Sequence, residues 1–219
     1  MKRPLPALVV AALIMGAALL TACSGPPEGS AEWYFDQGYK LSAAGRYQEA
    51  IDVYTKAIKV EPAMAKLYVN RAAAYASLEK FDLVIADCTK AISLDPKLAL
   101  AYINRAYAYN STGEYEQAIK DSDQAIELGK NVAEAYVNRA YSYLQLGDTQ
   151  RAVADCNEAI ELNPNLPQAY FHRAYAFEVL SKKDEAIADF SQFIRLSDNP
   201  AQVEIARQEV QKLTAPQSK

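Results

Sequence analysis

The sequence predicts an all-α chain of stacked helix-turn-helix units, closed by one further helix. Aligned with itself at a spacing of 34 residues, the stretch 31–200 repeats five times without a gap. A tyrosine holds place 4 of every unit and an isoleucine holds place 28: Tyr34, Tyr68, Tyr102, Tyr136, Tyr170, and Ile58, Ile92, Ile126, Ile160, Ile194. Such a period is typical of a repeat array and not of a globular enzyme domain.

Each unit contains two predicted helices. In the third unit, Tyr102, Ala106 and Tyr109 at places 4, 8 and 11 form one apolar stripe at helical spacing. Ala118 and Ile126 belong to a second stripe in the same unit. The turn between the helices is marked at place 15 by Gly45, Gly113 and Gly147, with Glu79 and Ser181 in the other two units. A single pair cannot bury its apolar face, so the pairs must stack.

Residues 1–22 are predicted to be an export signal. Lys2 and Arg3 precede an apolar run over 7–20, which is shorter than the roughly 20 residues that span a bilayer. The run leads into Leu-Thr-Ala-Cys at 20–23. This layout resembles a bacterial lipoprotein signal, which implies cleavage before Cys23 and acylation of that cysteine. A membrane helix and a cleaved signal without lipid are the alternatives.

Residues 23–30 follow as a lipidated tether, and their proline, glycine and serine predict an extended linker. Two or three acyl chains on Cys23 would hold the protein on its membrane. Ser24 stands where an aspartate signals inner-membrane retention in similar lipoproteins. The resemblance therefore implies anchoring to the outer membrane, facing the periplasm, in a host that has two membranes.

The units are predicted at 31–64, 65–98, 99–132, 133–166 and 167–200, followed by a capping helix and tail at 201–219. Asn199 and Pro200 are residue types that begin helices. Val203, Ala206 and Val210 form the stripe of the last helix. A single apolar face predicts that this helix covers the fifth unit and ends the stack.

The unit resembles the tetratricopeptide repeat, whose signature has aromatic residues at places 4, 11 and 24, small residues at 8 and 20, alanine at 27 and proline at 32. The five units agree in phase over 170 of the 219 residues. Val84 replaces the small residue at place 20, Lys183 replaces the aromatic residue that the family has at place 17, and Phe193 replaces the alanine at place 27. The resemblance implies a right-handed α-solenoid whose concave groove binds a peptide or a protein.

Places 7 and 23 change together. The first unit has Gln37 with Val53, whereas the other four units have an arginine with an aspartate: Arg71 with Asp87, Arg105 with Asp121, Arg139 with Asp155, and Arg173 with Asp189. Because the two places lie on different helices of one unit, we predict structural ion pairs between those helices. The alternative is a row of arginines that binds phosphate or carboxylate groups.

The resemblance also places certain residues of each unit on the concave surface, as a predicted peptide-binding groove. They are Phe35, Val69, Ile103, Val137 and Phe171 at place 5, Asn70, Asn104, Asn138 and His172 at place 6, and Tyr39, Tyr107, Tyr141 and Tyr175 at place 9. Asparagine offers both a donor and an acceptor to a peptide backbone, and the row is similar to the asparagine ladder of O-GlcNAc transferase. We expect the side chains of Asn104, Asn138, Tyr107 and Tyr141 to face water. The alternative is that amides and tyrosines are merely tolerated there.

Other functions find less support in the sequence. Of the residues that form the two-carboxylate clamp of heat-shock co-chaperones, only Asn70 is matched, since Phe35, Tyr39, Leu100 and Asn104 hold the other places. The single histidine, His172, takes a place held by asparagine in three sister units, and motifs for phosphate loops, zinc or nucleophilic serine are missing. We therefore expect no enzyme, catalytic residue, metal, cofactor or small-molecule substrate. A net charge of −4 disfavours nucleic acid as a partner.

The sequence thus predicts an outer-membrane-anchored periplasmic scaffold or adaptor. Its groove would bind a protein or an extended peptide segment, and the lipid on Cys23 would attach it to the membrane. The alternative function is a self-associating structural subunit of a cell-envelope machine, such as a pilus, a secretin or an outer-membrane assembly apparatus. Nothing in the residues identifies the partner or the process.

Overall fold

The computed structural model describes residues 25–129 and 132–215, which form helices joined by short turns and no β-strand. In chain order the helices are α1 Ala31–Ala43, α2 Tyr47–Val60, α3 Ala65–Ser77, α4 Phe81–Leu94, α5 Ala99–Thr112, α6 Tyr115–Leu128, α7 Ala133–Gln145, α8 Thr149–Leu162, α9 Pro167–Val179, α10 Lys183–Leu196 and α11 Pro200–Thr214. The predicted all-α solenoid is confirmed.

The helices form a continuous stack of pairs. The first residue of each odd-numbered helix from α1 to α9 lies 34 residues after that of the previous one. Each odd-numbered helix packs on the even-numbered helix that follows it, and each even-numbered helix packs on the next odd-numbered one. Apolar faces that one pair leaves open are therefore covered by its neighbour.

The turn within each pair depends on a left-handed residue at place 15. The backbone angle φ there is 74° at Gly45, 87° at Gly113 and 84° at Gly147. Glu79 and Ser181 adopt the same conformation, with φ of 57° and 58°. These two positions bear the strain that a side chain brings to this region.

The odd-numbered helices line the inner side of the stack. Besides their contacts with even-numbered helices, α3 packs on α5, α5 on α7, and α7 on α9. Consecutive even-numbered helices make no comparable contact in the described part of the chain. The stack therefore curves with α1, α3, α5, α7 and α9 on its concave face.

Small residues allow the helices to approach closely, and their places are fully buried in every complete unit. Ala72, Ala106, Ala140 and Ala174 lie at place 8, and Ala57, Ala91, Ala125 and Ala159 at place 27. Gly38 takes place 8 of the first unit because a Cβ atom there would lie only 2.5 Å from the ring of Tyr54. Val84 at place 20 and Phe193 at place 27 are larger than the residues of the other units, but both are fully buried. The ring centroids of Phe193 and Phe171 lie 4.6 Å apart.

In units two, three and five, the tyrosine at place 4 is hydrogen-bonded to the loop before the unit. The hydroxyl of Tyr68 donates to the carbonyl of Pro62 over 3.0 Å, and that of Tyr170 donates to the carbonyl of Pro164 over 3.1 Å. Tyr102 makes the equivalent bond to Pro96. Phenylalanine could fill the same space with its ring, but it has no hydroxyl to donate to the carbonyl. The hydrogen bond therefore explains why this place holds tyrosine.

Helix α11 ends the stack. The side chain of Asn199 accepts hydrogen bonds from the backbone N–H groups of Ala201 and Gln202, and Pro200 is the first helical residue. Val203, Val210 and Leu213 pack against the fifth unit. The places that carry Tyr, a small residue and an aromatic residue in complete units hold Glu204, Gln208 and Gln211, all of them exposed. Apart from the exposed Ile205, the exposed surface of α11 is thus largely polar.

The segment before α1 is not extended throughout. The N–H of Ser30 donates to the carbonyl of Pro27, Gly29 has a φ of 82°, and the Ser30 hydroxyl accepts from the N–H of Trp33. The prediction of an extended linker is therefore wrong for residues 27–30, because the hydrogen bonds fold these residues into a turn that caps α1. Cys23 and the signal lie outside the described residues. Within those residues, every helix falls short of the length and apolar character that crossing a membrane requires.

Candidate functional site

The predicted groove residues at places 5 and 6 fill the space between consecutive odd-numbered helices. Phe35, Val69, Ile103, Val137 and Phe171 are all buried, and so are Asn70, Asn104, Asn138 and His172. The expectation that Asn104 and Asn138 face water is therefore wrong. Close packing of the odd-numbered helices on the concave side removes these side chains from solvent, although they still lie on that side.

The tyrosines at place 9 divide into two kinds. Tyr107 packs edge-on against Phe81, with ring centroids 5.9 Å apart, and Tyr141 packs in the same way on Tyr115 at 6.2 Å. Both tyrosines are buried, and burial raises the pKa of Tyr141 to about 12. The expectation that Tyr107 and Tyr141 face water is thus wrong, because each ring packs against the preceding unit. Removal of either ring should therefore cost stability. Tyr39 and Tyr175 remain half-exposed.

The asparagines at place 6 differ in their hydrogen bonds. Asn70 Nδ2 donates to the carbonyl of Lys66 in its own helix over 2.8 Å, and Asn138 Nδ2 donates to the carbonyl of Ile103 in the preceding unit over 3.1 Å. Neither Nδ2 nor Oδ1 of Asn104 has a partner among the described residues, and Asn70 Oδ1 also lacks one. Buried polar atoms in this state are rare in folded proteins.

A buried polar network joins α5 to α7. Asn110 Nδ2 donates to the carbonyl of Asn138 over 2.8 Å, while the hydroxyl of Ser142 contacts Asn110 Oδ1 at 2.6 Å and the Asn138 carbonyl at 3.0 Å. We call Asn110, Asn138 and Ser142 the amide latch. Sequence reasoning missed Asn110 and Ser142. The signal in the sequence was a pair of polar residues in consecutive units. Place 12 is asparagine in unit three alone, and place 10 is serine in unit four alone, where units two, three and five have alanine.

The structure brings together all four predicted arginine and aspartate pairs. In each, the arginine Nε and Nη2 donate to the two carboxylate oxygens over 2.7 to 2.8 Å. The aspartates are buried. Bonding to the aspartate raises the pKa of each arginine above its usual value. This geometry occupies the guanidinium groups internally, which disfavours the alternative of a row that binds phosphate.

Each arginine also reaches the preceding unit. Its Nη1 donates over 2.5 to 2.9 Å to the side chain at place 25 of that unit, which is Thr55, Thr89, Asp123 or Asn157. The aromatic rings at places 4 and 11 flank the guanidinium carbon at 5.4 to 6.0 Å. We call these arginines with their acceptors the arginine seam. Place 25 was missed because its residue type varies.

The remaining reactive side chains are buried and uncharged. The His172 ring packs on Tyr141 with centroids 5.3 Å apart, and burial lowers its pKa to about 4, so the ring is neutral at neutral pH. Cys88 and Cys156 are free and buried, and burial raises the pKa of both thiols. Within residues 25–129 and 132–215, histidine, cysteine and carboxylate side chains do not cluster as metal ligands would.

Comparison with known proteins identifies the family. Sequence models of the tetratricopeptide repeat, or TPR, match residues 38–78, 65–98, 88–120, 133–166 and 168–199, which together take in more than half of the chain. The chain belongs to the tetratricopeptide repeat family. The TPR motif accounts for the alternation of helices and for the small residues between them.

Two curated relatives match over short stretches. The chain is 49% identical over 51 residues to the small glutamine-rich tetratricopeptide repeat-containing protein 2 of Saccharomyces cerevisiae, and 43% identical over 53 residues to RNA polymerase II-associated protein 3 of Homo sapiens. These stretches are 23% and 24% of this chain but only 15% and 8% of the relatives. The similarity is therefore confined to about one and a half repeats.

Solved structures match more of the chain. A thermophilic TPR protein in Thermus thermophilus superposes with a TM-score of 0.69 at 19% identity, over 83% of this chain and 99% of that one. The first TPR of Spaghetti, solved with the HSP90 peptide SRMEEVD bound, superposes with a TM-score of 0.52 at 34% identity, over 53% of this chain and 93% of that one. The first comparison shows the fold alone, and the second adds a relative that is bound to a peptide.

Proposed function

We propose that this TPR protein is an interaction scaffold that binds a peptide or protein segment on the concave face formed by its odd-numbered helices. The observation that carries the proposal is the state of that face. It keeps the neutral side chains of Tyr39, Leu100 and Tyr175 partly exposed, whereas the amides of Asn70 and Asn104 are buried between the helices. The similarity to a TPR domain with bound peptide supports the same function.

The peptide bound by this chain is proposed to differ from SRMEEVD. An acidic C-terminal segment requires cations in the groove, and the equivalent places of this chain hold Phe35, Tyr39 and Leu100. Lys66 of α3 lies over the ring of Phe35, with its Nζ 4.6 Å from the ring centroid. A neutral wall with partly exposed aromatic and apolar side chains favours a segment that is bound through its own apolar side chains.

A charge placed on the concave face tests this function. Ala73 occupies place 9 of α3 and is half-buried, whereas Ala86 is exposed on α4, an even-numbered helix. We expect Ala73→Glu to reduce capture of partners from the solubilised host envelope, because a carboxylate in a neutral groove must be desolvated on binding. The captured proteins would be identified and quantified by mass spectrometry.

Ala86→Glu is the matched control, since the same residue is introduced on the opposite side of the same unit. It should leave capture unchanged. Equal capture by wild type and by both variants, with melting temperatures that agree, would contradict binding through the concave face.

We also propose that the chain is anchored to a bacterial membrane, the outer membrane facing the periplasm, through lipid on Cys23. The basic start, the short apolar run and the Leu-Thr-Ala-Cys sequence support this location. Ser24 supports the outer membrane in particular. In the bacterial host, Cys23→Ser should abolish incorporation of labelled palmitate, with Cys88→Ser as the control that retains it because Cys88 is buried in the fold. Undiminished labelling of the Cys23 variant would overturn the proposed anchor.

A further inference from the structure

One side of α1 lies where a preceding unit would pack, and we call it the N-terminal edge. In the later units, place 3 is turned toward the preceding unit: Leu67 packs with Tyr54 and Ala57 of the first unit, and Ala101 packs with Ala91 of the second. The residues at this place are all fully buried, namely Leu67, Ala101, Ala135 and Ala169. Helix α1 is the first helix of the described part of the chain, so no unit of that part covers the same side of α1.

Most of the N-terminal edge is polar. Places 6 and 10 are buried in the four later units, but in α1 they hold Asp36 and Lys40, which are both exposed. Gln37 takes place 7 between them and is partly exposed. These side chains suit an end of the stack that water covers.

The first turn of the same edge is aromatic instead. Trp33 takes place 3 and Tyr34 follows it, with their ring centroids 5.1 Å apart in an edge-on contact. Both rings are partly exposed. Contact with water alone does not explain a tryptophan here, because the polar Asp36 and Lys40 serve that purpose on the next two turns. A ring that is apolar over most of its surface and carries one N–H donor suits a boundary between an apolar phase and water.

The aromatic turn lies next to the segment that leads to the proposed lipid. The N–H of Trp33 donates to the Ser30 hydroxyl over 3.1 Å, and the N–H of Ser30 donates to the carbonyl of Pro27 over 3.0 Å. Cys23 precedes Pro27 by four residues, which span at most about 14 Å even when fully extended. Acyl chains on Cys23 would therefore keep the first turn of α1 close to the bilayer surface.

We propose that Trp33 and Tyr34 dock the N-terminal edge on the bilayer that holds the acyl chains, with their rings in the headgroup region. This inference rests on the proposed lipid anchor and adds the orientation of the fold. Tryptophan and tyrosine favour that region because each ring has an apolar body and a hydrogen-bonding group. Since this edge faces away from the other units, the docked stack rises from the bilayer and leaves its concave face open to partners.

The charges around the aromatic turn indicate the kind of lipid. Glu28 in the capping turn and Glu32 and Asp36 on α1 are exposed, whereas Lys40 is the one basic residue of the edge. An anionic surface would repel the three carboxylates. The lipid surface that fits this edge is therefore zwitterionic.

Tryptophan fluorescence tests the docking, because Trp33 is the only tryptophan of the chain. The lipidated full chain is purified in detergent and reconstituted in phosphatidylcholine vesicles, with and without bromine atoms on the acyl chains. Brominated lipid should quench most of the emission. Quenching by acrylamide, which is dissolved in the water, should be weaker than for soluble residues 24–219.

The matched control moves the tryptophan to the other end of the stack. Trp33→Phe combined with Ala201→Trp places it at an exposed position on the first turn of α11. The emission of this variant should be unaffected by brominated lipid. Equal quenching of the two proteins would contradict docking through the N-terminal edge.

Partitioning measures how much Trp33 contributes to membrane binding. A chain that carries a single acyl group on Cys23 binds vesicles weakly and reversibly, so a change of a few fold can be detected. Trp33→Ala should weaken this partitioning about fivefold, as expected for part of a tryptophan ring removed from water. Ile205→Ala removes an exposed apolar side chain from α11 and should leave the partitioning unchanged. Unchanged partitioning of Trp33→Ala would overturn the inference.

The remaining outcomes separate this inference from the proposed anchor. A wild-type chain that incorporates no palmitate and does not float with vesicles would overturn both. A chain that floats with vesicles while brominated lipid leaves Trp33 unquenched would overturn the inference alone. Dimers of soluble residues 24–219 in which Trp33 is shielded from acrylamide would assign the N-terminal edge to a second copy, and that result would also overturn the inference.

Discussion

At the residue scale, the arginine seam shows how a charged group is accommodated in a stack of small apolar residues. Each arginine donates to both oxygens of one aspartate and to a third side chain in the preceding unit. Two aromatic rings cover its faces. The charge is therefore paired by three side-chain hydrogen bonds and flanked by two rings, and the fork of donors that this requires is available in arginine and not in lysine.

A double-mutant cycle on Arg105 and Asp121 measures the free energy of interaction between these two side chains. Arg105→Met leaves a buried carboxylate unpaired and should lower the free energy of unfolding by about 3 kcal/mol, as should Asp121→Leu through the unpaired guanidinium. The double variant should lose less than the sum of the two, because no isolated charge remains. Urea unfolding gives the three free energies, and additive losses would contradict a direct interaction.

The pairing of places 7 and 23 could be read from the sequence because both residue types change in the same unit. The exposure of Asn104 and Tyr107 could not. Family geometry gives the direction in which a side chain points, but burial depends on how closely the next odd-numbered helix approaches. That distance is set by small residues on both helices, such as Ala101 on α5 and Ala135 on α7, which are fully buried.

At the element scale, the turns at place 15 carry a strain that varies from unit to unit. Three units use glycine, and the other two place Glu79 and Ser181 in the left-handed region. Sequence reasoning located these turns because glycine recurs at fixed spacing. It could not foresee that the other two units keep the same backbone, since neither glutamate nor serine favours it.

Glycine in place of Glu79 should therefore stabilise the protein. Glu79→Gly removes the clash of a side chain at φ 57° and should add about 0.5 to 1 kcal/mol to the free energy of unfolding. Differential scanning calorimetry should show a melting temperature higher by about 2 to 4 °C.

Gly113→Ala is the matched control for this substitution. A Cβ atom on Gly113 would have no neighbour within 4 Å, so any loss of stability reports the backbone conformation alone. It should lower the melting temperature by a similar amount. A stabilised Gly113→Ala variant would contradict the role assigned to this turn.

At the scale of the whole molecule, the two ends of the stack differ from its interior. The outer side of α11 presents Glu204, Gln208 and Gln211 where complete units present residues that a second helix covers. Terminal repeats need such a polar surface, because an apolar one would continue the stack with another molecule. End-to-end association through α11 is therefore disfavoured.

We expect residues 24–219, produced without the leader, to be monomeric. Light scattering after size exclusion should give the mass of one chain across a wide range of concentrations. Gln208→Ala with Gln211→Tyr restores the small and aromatic residues of places 8 and 11 and should promote association, because it exposes an apolar face at the end of the stack. A stable oligomer of the unaltered chain would instead favour the structural-subunit alternative.

The arginine seam limits which repeats can be duplicated, because each of its arginines donates a hydrogen bond to the preceding unit. Every arginine needs an acceptor in the unit before it, so an internal unit such as 65–98 carries both the group that reaches back and the acceptor that the next unit requires. Copying an internal unit in tandem would preserve all of these bonds. Copying the first unit into the interior would not, since Gln37 and Val53 supply neither charge. Lengthening of this protein by gene duplication is thus expected to have used its middle repeats and to have left the first repeat single.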